Sequence, residues 1–293
     1  MLMQLFLQAI GFGLVTASVL ALMSVGLSLQ FGVTNYVNFA YGALLSVGMF
    51  LTWTFSVTLH LPFLLAIVCG VLGTGILAVL ISEFLLDPFV RRRKSLFYML
   101  IVTFGLSLVL DNVLQIAYGV GFKQYPIAQG SPLKLGPFSF TKSQLIIIGV
   151  ALVAMVVVRL LLEKTNLGKS MRAMSDNPEL AAISGIDTRT VTRWTWMMSG
   201  ILAGLGGVVL AINDVSFQTA SGDAMLFVIF AAVILGGIGQ IYGAMLGALL
   251  IGLAMEISAV FINSAYTQDI AFLILVVMLL IRPQGLIAAR GKA

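Results

Sequence analysis

The stretch Phe31-Gly32-Val33-Thr34-Asn35-Tyr36-Val37-Asn38-Phe39-Ala40-Tyr41-Gly42 breaks a long apolar run with glycines, amides and hydroxyls. A second interruption, Leu235-Gly236-Gly237-Ile238-Gly239-Gln240-Ile241-Tyr242-Gly243, lies in the other half of the chain. Both are flanked by residues suited to hydrocarbon, a solvent that cannot hydrogen-bond their polar groups. Irregular backbone at membrane depth is tolerated only where protein buries it or where it lines a cavity. Paired glycine-interrupted segments in two halves of a polytopic chain also point to a transport site. The expectation is therefore a transporter subunit rather than a membrane anchor.

Composition agrees. Sixty per cent of the residues are hydrophobic and 9% are charged, against about a quarter charged in soluble domains. This is an integral membrane protein. No charged residue precedes Glu83. The N-terminus shows neither a basic region nor a small-residue cleavage site, so no cleaved signal peptide is expected. Cys69, the single cysteine, lies in an apolar run and reads as a small packing residue. The net charge of +5 fits Lys- and Arg-rich cytoplasmic loops.

A span needs about twenty apolar residues. The candidates are Leu5–Leu29, Ala40–Leu59, Phe63–Leu85, Leu96–Tyr118, Leu145–Leu162, Trp194–Ile212, Leu226–Gly237, Ala244–Phe261 and Ile270–Ile281. The fold class expected is thus an all-α polytopic membrane protein, one permease domain over residues 1–293. It would have eight or nine transmembrane helices, at least one of them broken or re-entrant. Leu226–Gly237 and Ile270–Ile281 are short and must borrow flanking residues or insert half-way. The basic bias places Arg91-Arg92-Arg93-Lys94, the Glu163–Arg193 segment and the tail with Arg282, Arg290 and Lys292 in the cytoplasm. Without charge before Glu83 that rule leaves the N-terminal side open, and a broken helix at Phe31–Gly42 is the reading adopted.

Residues 163–193 form the longest charge-dense stretch, read as a cytoplasmic loop carrying one short helix. Asn177 can cap it, Pro178 suits the first helical position, and Glu179 complements the helix dipole. Leu180-Ala181-Ala182-Ile183 continues it and Gly185 ends it. One reading is a solvated connector. The other is a coupling helix, with Asn177, Glu179, Ala181, Ala182 and Gly185 docking into a groove on a soluble motor protein.

Several ordered motifs resemble the inner-membrane permeases of the branched-chain amino-acid ABC uptake family. They are Gly26-Leu27-Ser28-Leu29-Gln30-Phe31-Gly32-Val33 with Val37–Gly42, and Thr103-Phe104-Gly105-Leu106-Ser107-Leu108-Val109-Leu110. The most distinctive is Phe230–Gly239 followed by Gly243-Ala244-Met245-Leu246-Gly247, and Arg282-Pro283-Gln284-Gly285-Leu286 also fits. Glu179, Ala181, Ala182 and Gly185 approach the family's Glu-Ala-Ala-x-x-x-Gly spacing, with Leu180 in place of its first Ala. Tyr41 stands where the family usually has His, and Ala43 where it commonly has Glu.

The resemblance implies import into the cytoplasm across a bacterial inner membrane, with the C-terminus inside. The cargo would be branched-chain or other small apolar amino acids, or alternatively urea, short amides or small organic acids. It implies a second related permease, two ATP-hydrolysing subunits and a periplasmic binding protein, besides membrane lipid. No enzyme activity, cofactor, metal or nucleic acid is expected of this chain. It carries no phosphate-binding Gly-x-x-x-x-Gly-Lys-Ser/Thr loop, so ATP would be used by the partner subunits.

The substrate-pathway candidates are Thr34, Asn35, Tyr36, Asn38, Tyr41, Gly236, Gly237, Gly239 and Gln240. Thr34, Asn35, Tyr36 and Asn38 either line the path or tie broken helix ends together. Tyr41 and Tyr242, taken singly, read as interfacial anchors. Asp111 and Glu256 are charges inside spans. They are read as interhelical hydrogen bonds, Asp111 with Asn112, or as the coupling site of an ion-driven transporter. Gly200, Gly204, Gly206 and Gly207 form a small-residue face for close helix packing.

Overall fold

The computed structural model describes residues 2–92, 95–127, 133–135, 138–262, 266–282 and 285–287. Arg93, Lys94, Pro283, Gln284, Arg290 and Lys292, which figure in the basic clusters and the tail motif, lie outside the described residues. In chain order the helices are α1 (Leu2–Thr34), α2 (Tyr41–Trp53), α3 (Phe63–Leu80), α4 (Asp87–Arg91) and α5 (Leu96–Tyr118). A small antiparallel hairpin, β1 (Leu133–Leu135) and β2 (Phe138–Phe140), precedes α6 (Lys142–Lys164). Then come α7 (Asn166–Asp176), α8 (Pro178–Ile183), α9 (Thr188–Asn213), α10 (Ser221–Gly236), α11 (Ile241–Phe261) and α12 (Thr267–Ile281). Wider π-helical turns, Thr54–Thr58 and Ile81–Leu86, extend α2 and α3.

The protein is all-α and polytopic. Among the described residues, seven helical segments are long and apolar enough to cross a membrane: Met3–Thr34, Tyr41–Thr58, Phe63–Val90, Leu96–Tyr118, Lys142–Lys164, Thr188–Asn213 and Ile241–Phe261. Ser221–Gly236 and Thr267–Ile281 are apolar but shorter. At 1.5 Å per residue, the 16 residues of α10 are too short for a hydrocarbon core of about 30 Å.

The chain divides into two compact units. One comprises Met1–Val25, Ile127–Val157 and Phe227–Ala293, the other Gly26–Pro126 and Val158–Leu226. The second unit is built on α2, α3 and α9, which pack backbone against backbone. A Cβ at Gly207 would strike the Leu45 carbonyl, and one at Gly48 would strike Gly204. Gly200 faces Ala78 and Gly75, and Gly204 also meets Thr74. The small-residue face of α9 is therefore spent on helices of its own chain. Lipid tails supply no hydrophobic drive between helices, so such close approach and the dispersion it gains carry the association. Trp196 and Phe50 fill the space between, fully buried.

In the first unit, α1 and α11 meet in the same way. Gly252 packs on Ala17 and Gly13 on Leu253. Thr16 donates to Glu256 Oε1 at 2.8 Å. Glu256 thus holds an interhelical bond, whereas the partner expected for Asp111 is wrong: Asn112 Nδ2 donates to Leu108 O of its own helix at 2.6 Å.

Residues 163–193 differ from a loop with one helix. Helix α7 forms because Met171, Met174 and Gly168 bury one face while Lys169 and Arg172 stay in the open. Thr165 caps it, accepting from the Gly168 amide at 3.0 Å. Helix α9 begins at Thr188, well before the apolar run at Trp194, because Asp187 supplies its cap.

Gly207→Leu forces the Leu45 backbone away and should cost about 1–3 kcal/mol or more of stability as overpacking. Gly149→Leu, at a position with nothing within 4 Å, should be nearly neutral. Thermal unfolding of the two solubilised variants separates these outcomes.

Candidate functional site

The break between α1 and α2 is held by its own polar side chains. Asn35 adopts φ 58°, a left-handed conformation that Asn tolerates better than most residues. Its amide still bonds Phe31 O at 2.8 Å. Thr34 donates back to Gln30 O at 2.8 Å. Asn38 Oδ1 accepts the Ala40 amide at 3.0 Å, and its Nδ2 reaches Gln30 Oε1 at 3.4 Å. Ser199 on α9 lies 2.9 Å from Gly26 O and 3.3 Å from the same Gln30 oxygen. A buried polar network therefore stitches α1, α2 and α9 together. Each such bond is worth about 1 kcal/mol net, and leaving one unmade in a dry interior costs more.

Tyr41 belongs to this network rather than to an interface. It is fully buried, and its hydroxyl occupies the space that a Cβ on Gly26 would need. Asn38 is buried too, whereas Asn35 is exposed. Asn38 and Tyr41 hold the break; Thr34, Asn35 and Tyr36 face a space.

That space is a cleft of about 610 Å³ within the second unit. Val33, Thr34, Asn35 and Tyr36 form one wall, and Pro178, Glu179 and Ala182 of α8 form another. Ser82, Glu83, Asp87, Arg189, Thr192 and Arg193 complete it. An ion pair between Glu83 and Arg193 crosses this charged end, tying the π-turn after α3 to the start of α9. With both side chains part-exposed, such a pair adds at most about 1 kcal/mol, so it positions more than it stabilises.

Helix α8 is short and pinned at both ends. Asn177 Oδ1 accepts the Leu180 amide at 3.0 Å, and Gly185 closes the helix at φ 86°. Ala181 is buried, whereas Leu180 and Ile183 are 60% and 84% exposed. Two aliphatic side chains of α8 therefore stand in the open beside the charged residues of the cleft.

The glycines at Leu235–Gly243 work by close packing. A Cβ on Gly236 would enter the Gly243 backbone, and one on Gly247 would enter Ala232 O. Gly237 and Gly239 turn the chain at φ 110° and 77°, values that few side chains permit. The Leu286 and Ile287 amides bond Leu235 O at 2.8 Å and Gly236 O at 3.1 Å, satisfying carbonyls left over at the end of α10. Gln240 lies at the start of α11 without a side-chain cap bond. These residues fall in the first unit, and Thr34–Tyr41 in the second.

A further interruption escaped the hydropathy pattern. Beyond α9 the chain runs back along α2. Phe217 packs edge-to-face on Phe50 at 5.2 Å between ring centroids, Thr219 O accepts from Ser46 Oγ at 2.6 Å, and the Gly222 amide donates to Ser46 Oγ at 3.0 Å. Ser107, in the middle of the 23-residue α5, donates to Asp223 at 3.2 Å. Tyr118, which also packs on Phe50, lies about 16 Å further along α5 at 1.5 Å per residue. Helix α10 therefore begins at the mid-depth of α5, and Asp223 in its first turn is an intramembrane carboxyl beside Asp111. The apolar run that starts at Leu226 omits the signal, the polar Ser221-Gly222-Asp223 just upstream of it.

Broken helices with buried polar ties, a half-length helix starting inside the membrane and a surface helix beside the break define a polytopic membrane transport subunit. The sequence matches the family described as "Branched-chain amino acid transport system / permease component" over residues 9–281, and the chain belongs to that family. It is 31% identical to the probable branched-chain amino acid transport permease protein LivH of Methanocaldococcus jannaschii, covering 95% of this chain and 91% of that protein. Identity is 27% to the high-affinity LivH permease protein of Salmonella typhimurium, over 96% and 95%. The ribose import permease protein RbsC of Bacillus subtilis matches over a shorter stretch, 34% identical across 34% of this chain and 33% of that one. A chain of PsaBC from Streptococcus pneumoniae in complex with Fab aligns over 95% of this chain and 92% of its own, with 16% identity and a TM-score of 0.49.

Asp187 makes a pH prediction. The Thr190 hydroxyl first, then the Thr190 and Arg189 amides, hold its carboxyl below the ordinary value of 3.8. A folded pKa below the unfolded one stabilises at higher pH and is lost as pH falls through the folded value. Hydrogen exchange at Thr188–Val191 should accelerate in acid below 3.8, and Asp187→Asn should remove that dependence.

Proposed function

We propose that this chain is one of two related membrane subunits of an ATP-driven importer carrying branched-chain or other small apolar amino acids into the cytoplasm. A periplasmic binding protein delivers the cargo, and two ATP-hydrolysing subunits, on the side of α8, supply the work. The observation that carries this reading is the shared cleft. The polar break Thr34–Tyr36 and the surface helix with Glu179 and Ala182 are two walls of one space, so moving the helix moves the break.

In this mechanism Leu180 and Ile183 seat in a groove of the ATPase subunit as a helix-in-groove contact. Closure of the ATPases on ATP pushes α8, held rigid by Asn177 and Gly185. The push reaches the spans through the Glu83–Arg193 pair and the start of α9. The break opens to one side of the membrane and then the other, and its tied polar side chains keep the backbone satisfied throughout. Specific capture is left to the binding protein, and the permease contributes a path with weak, reversible contacts. The charged segment with α7 and α8 is cytoplasmic in this reading, and so is the C-terminus, in keeping with the bias of Lys and Arg.

Reconstituted with the partner subunits encoded beside it, the chain should support leucine uptake that needs both ATP and the binding protein. Labelled urea and ribose run in parallel are expected to stay outside. Leu180→Asp with Ile183→Asp should reduce uptake and binding-protein-stimulated ATP hydrolysis at least about tenfold, as loss of central anchors in an interface does, without lowering thermal stability. Uptake that proceeds without the ATPase subunits would overturn the proposal.

A further inference from the structure

We infer that the outward face of α5, centred on Gly105 and Asn112, is the seam along which this chain packs against a span of the second permease subunit. The inference rests on the importer reading, which supplies that second membrane subunit. The buried side of α5 carries Met99, Thr103, Ser107, Asp111 and Leu114. With 3.6 residues per turn, Gly105 and Asn112 fall on the opposite side of the helix, one almost directly above the other. Both are exposed. Asn112 stands about 7.5 Å along the axis from Ser107 in the middle of the span, well inside a hydrocarbon half-thickness of about 15 Å.

Lipid does not suit this face. A side-chain amide offers two N–H donors and an acceptor oxygen. Asn112 spends one donor on Leu108 O, and among the described residues nothing donates to its Oδ1. Hydrocarbon has no donor to give, so the amide calls for a protein group at its own depth. Glycine points the same way. In other spans glycines are used for close contact, Gly48 on Gly204, Gly207 on Leu45 and Gly252 on Ala17. A Cβ at Gly105 would meet nothing within 4 Å. Gly149 on α6 is open as well, but the side chains exposed around it, Ile146, Leu152 and Val153, are ones that acyl chains can cover. On α5 the bare backbone of Gly105 lies between Ile101 and Leu108, each 50% exposed, a notch that lets a second helix approach closely. The small-residue face of α9 cannot serve instead, because α2 and α3 already occupy it. The partner is thus a span that fits the notch at Gly105 and presents an amide or hydroxyl to Asn112, about 10 Å further along the axis.

The test uses the complete transporter, with both permease subunits and the ATPases expressed together, in native membranes. With Leu108 replaced by the photoreactive p-benzoylphenylalanine, irradiation should join this chain to the second permease subunit, identified by peptide mass spectrometry. Gly105→Leu should lower recovery of the second permease on the tagged chain at least about fivefold, as filling a close helix contact does. The same substitution should leave thermal unfolding of this chain alone at the wild-type value, because the new side chain meets nothing of its own chain. Asn112→Leu should lower recovery by a smaller factor, and Asn112→Gln should restore part of it. Recovery unchanged in Gly105→Leu would overturn the inference. So would photo-adducts formed only with lipid, with a second copy of this chain or within the chain itself. Wild-type uptake without the ATPase subunits would instead overturn the importer reading, and the identity of the adduct is read independently of ATP.

Discussion

Every feature of the second unit depends on one contact, the seating of α9 directly on the backbones of α2 and α3 at Gly200, Gly204 and Gly207. In hydrocarbon there is no gain from hiding apolar surface, so helices must touch closely enough for dispersion and weak polar contacts to count. Glycine permits that approach and costs little in a span. Once α9 is fixed, Ser199 stands opposite Gly26 and Gln30, and the tie that closes the break between α1 and α2 follows. The same contact sets the starting height of Arg193, and through it the position of Glu83.

A polar break in a membrane protein must be satisfied by protein groups beside it, however distant they are in the chain. At Asn35–Ala40 the side chains of Gln30, Asn38 and Ser199 take the place of lost helix bonds. At Asp214–Asp223 the turn borrows the Ser46 hydroxyl. Beyond Gly236 the carbonyls find amides from Leu286 and Ile287. Three different sets of partners solve one accounting problem, and the first of these breaks also borders the cleft at Thr34–Tyr36. That difference separates an interruption able to meet a solute from one that allows two helices to close.

Much of this was legible in the chain. Apolar run lengths located the spans. The cap at Asn177 and the stop at Gly185 were visible because N-cap and left-handed chemistry depend on a residue and its immediate neighbours. Two things were hidden. Helix α7 could not be read from a stretch of mixed polarity, because its buried face of Met171 and Met174 has meaning only against tertiary neighbours. The mid-membrane start of α10 was hidden because Asp223 lies outside the apolar window, and hydropathy cannot tell a loop above the membrane from one folded into it. Tyr41 failed for a related reason: an amphipathic ring suits an interface, but it equally suits a buried hydroxyl with a partner.

The bonds from Leu286 and Ile287 to the end of α10 bear on how the molecule is made. The ribosome delivers α10 some fifty residues before the amides that complete it, and α11 and α12 must insert in between. Until residue 287 emerges, the carbonyls of Leu235 and Gly236 have no protein donor. A partly synthesised chain therefore carries an unfinished helix end, and the finished chain closes it with two hydrogen bonds.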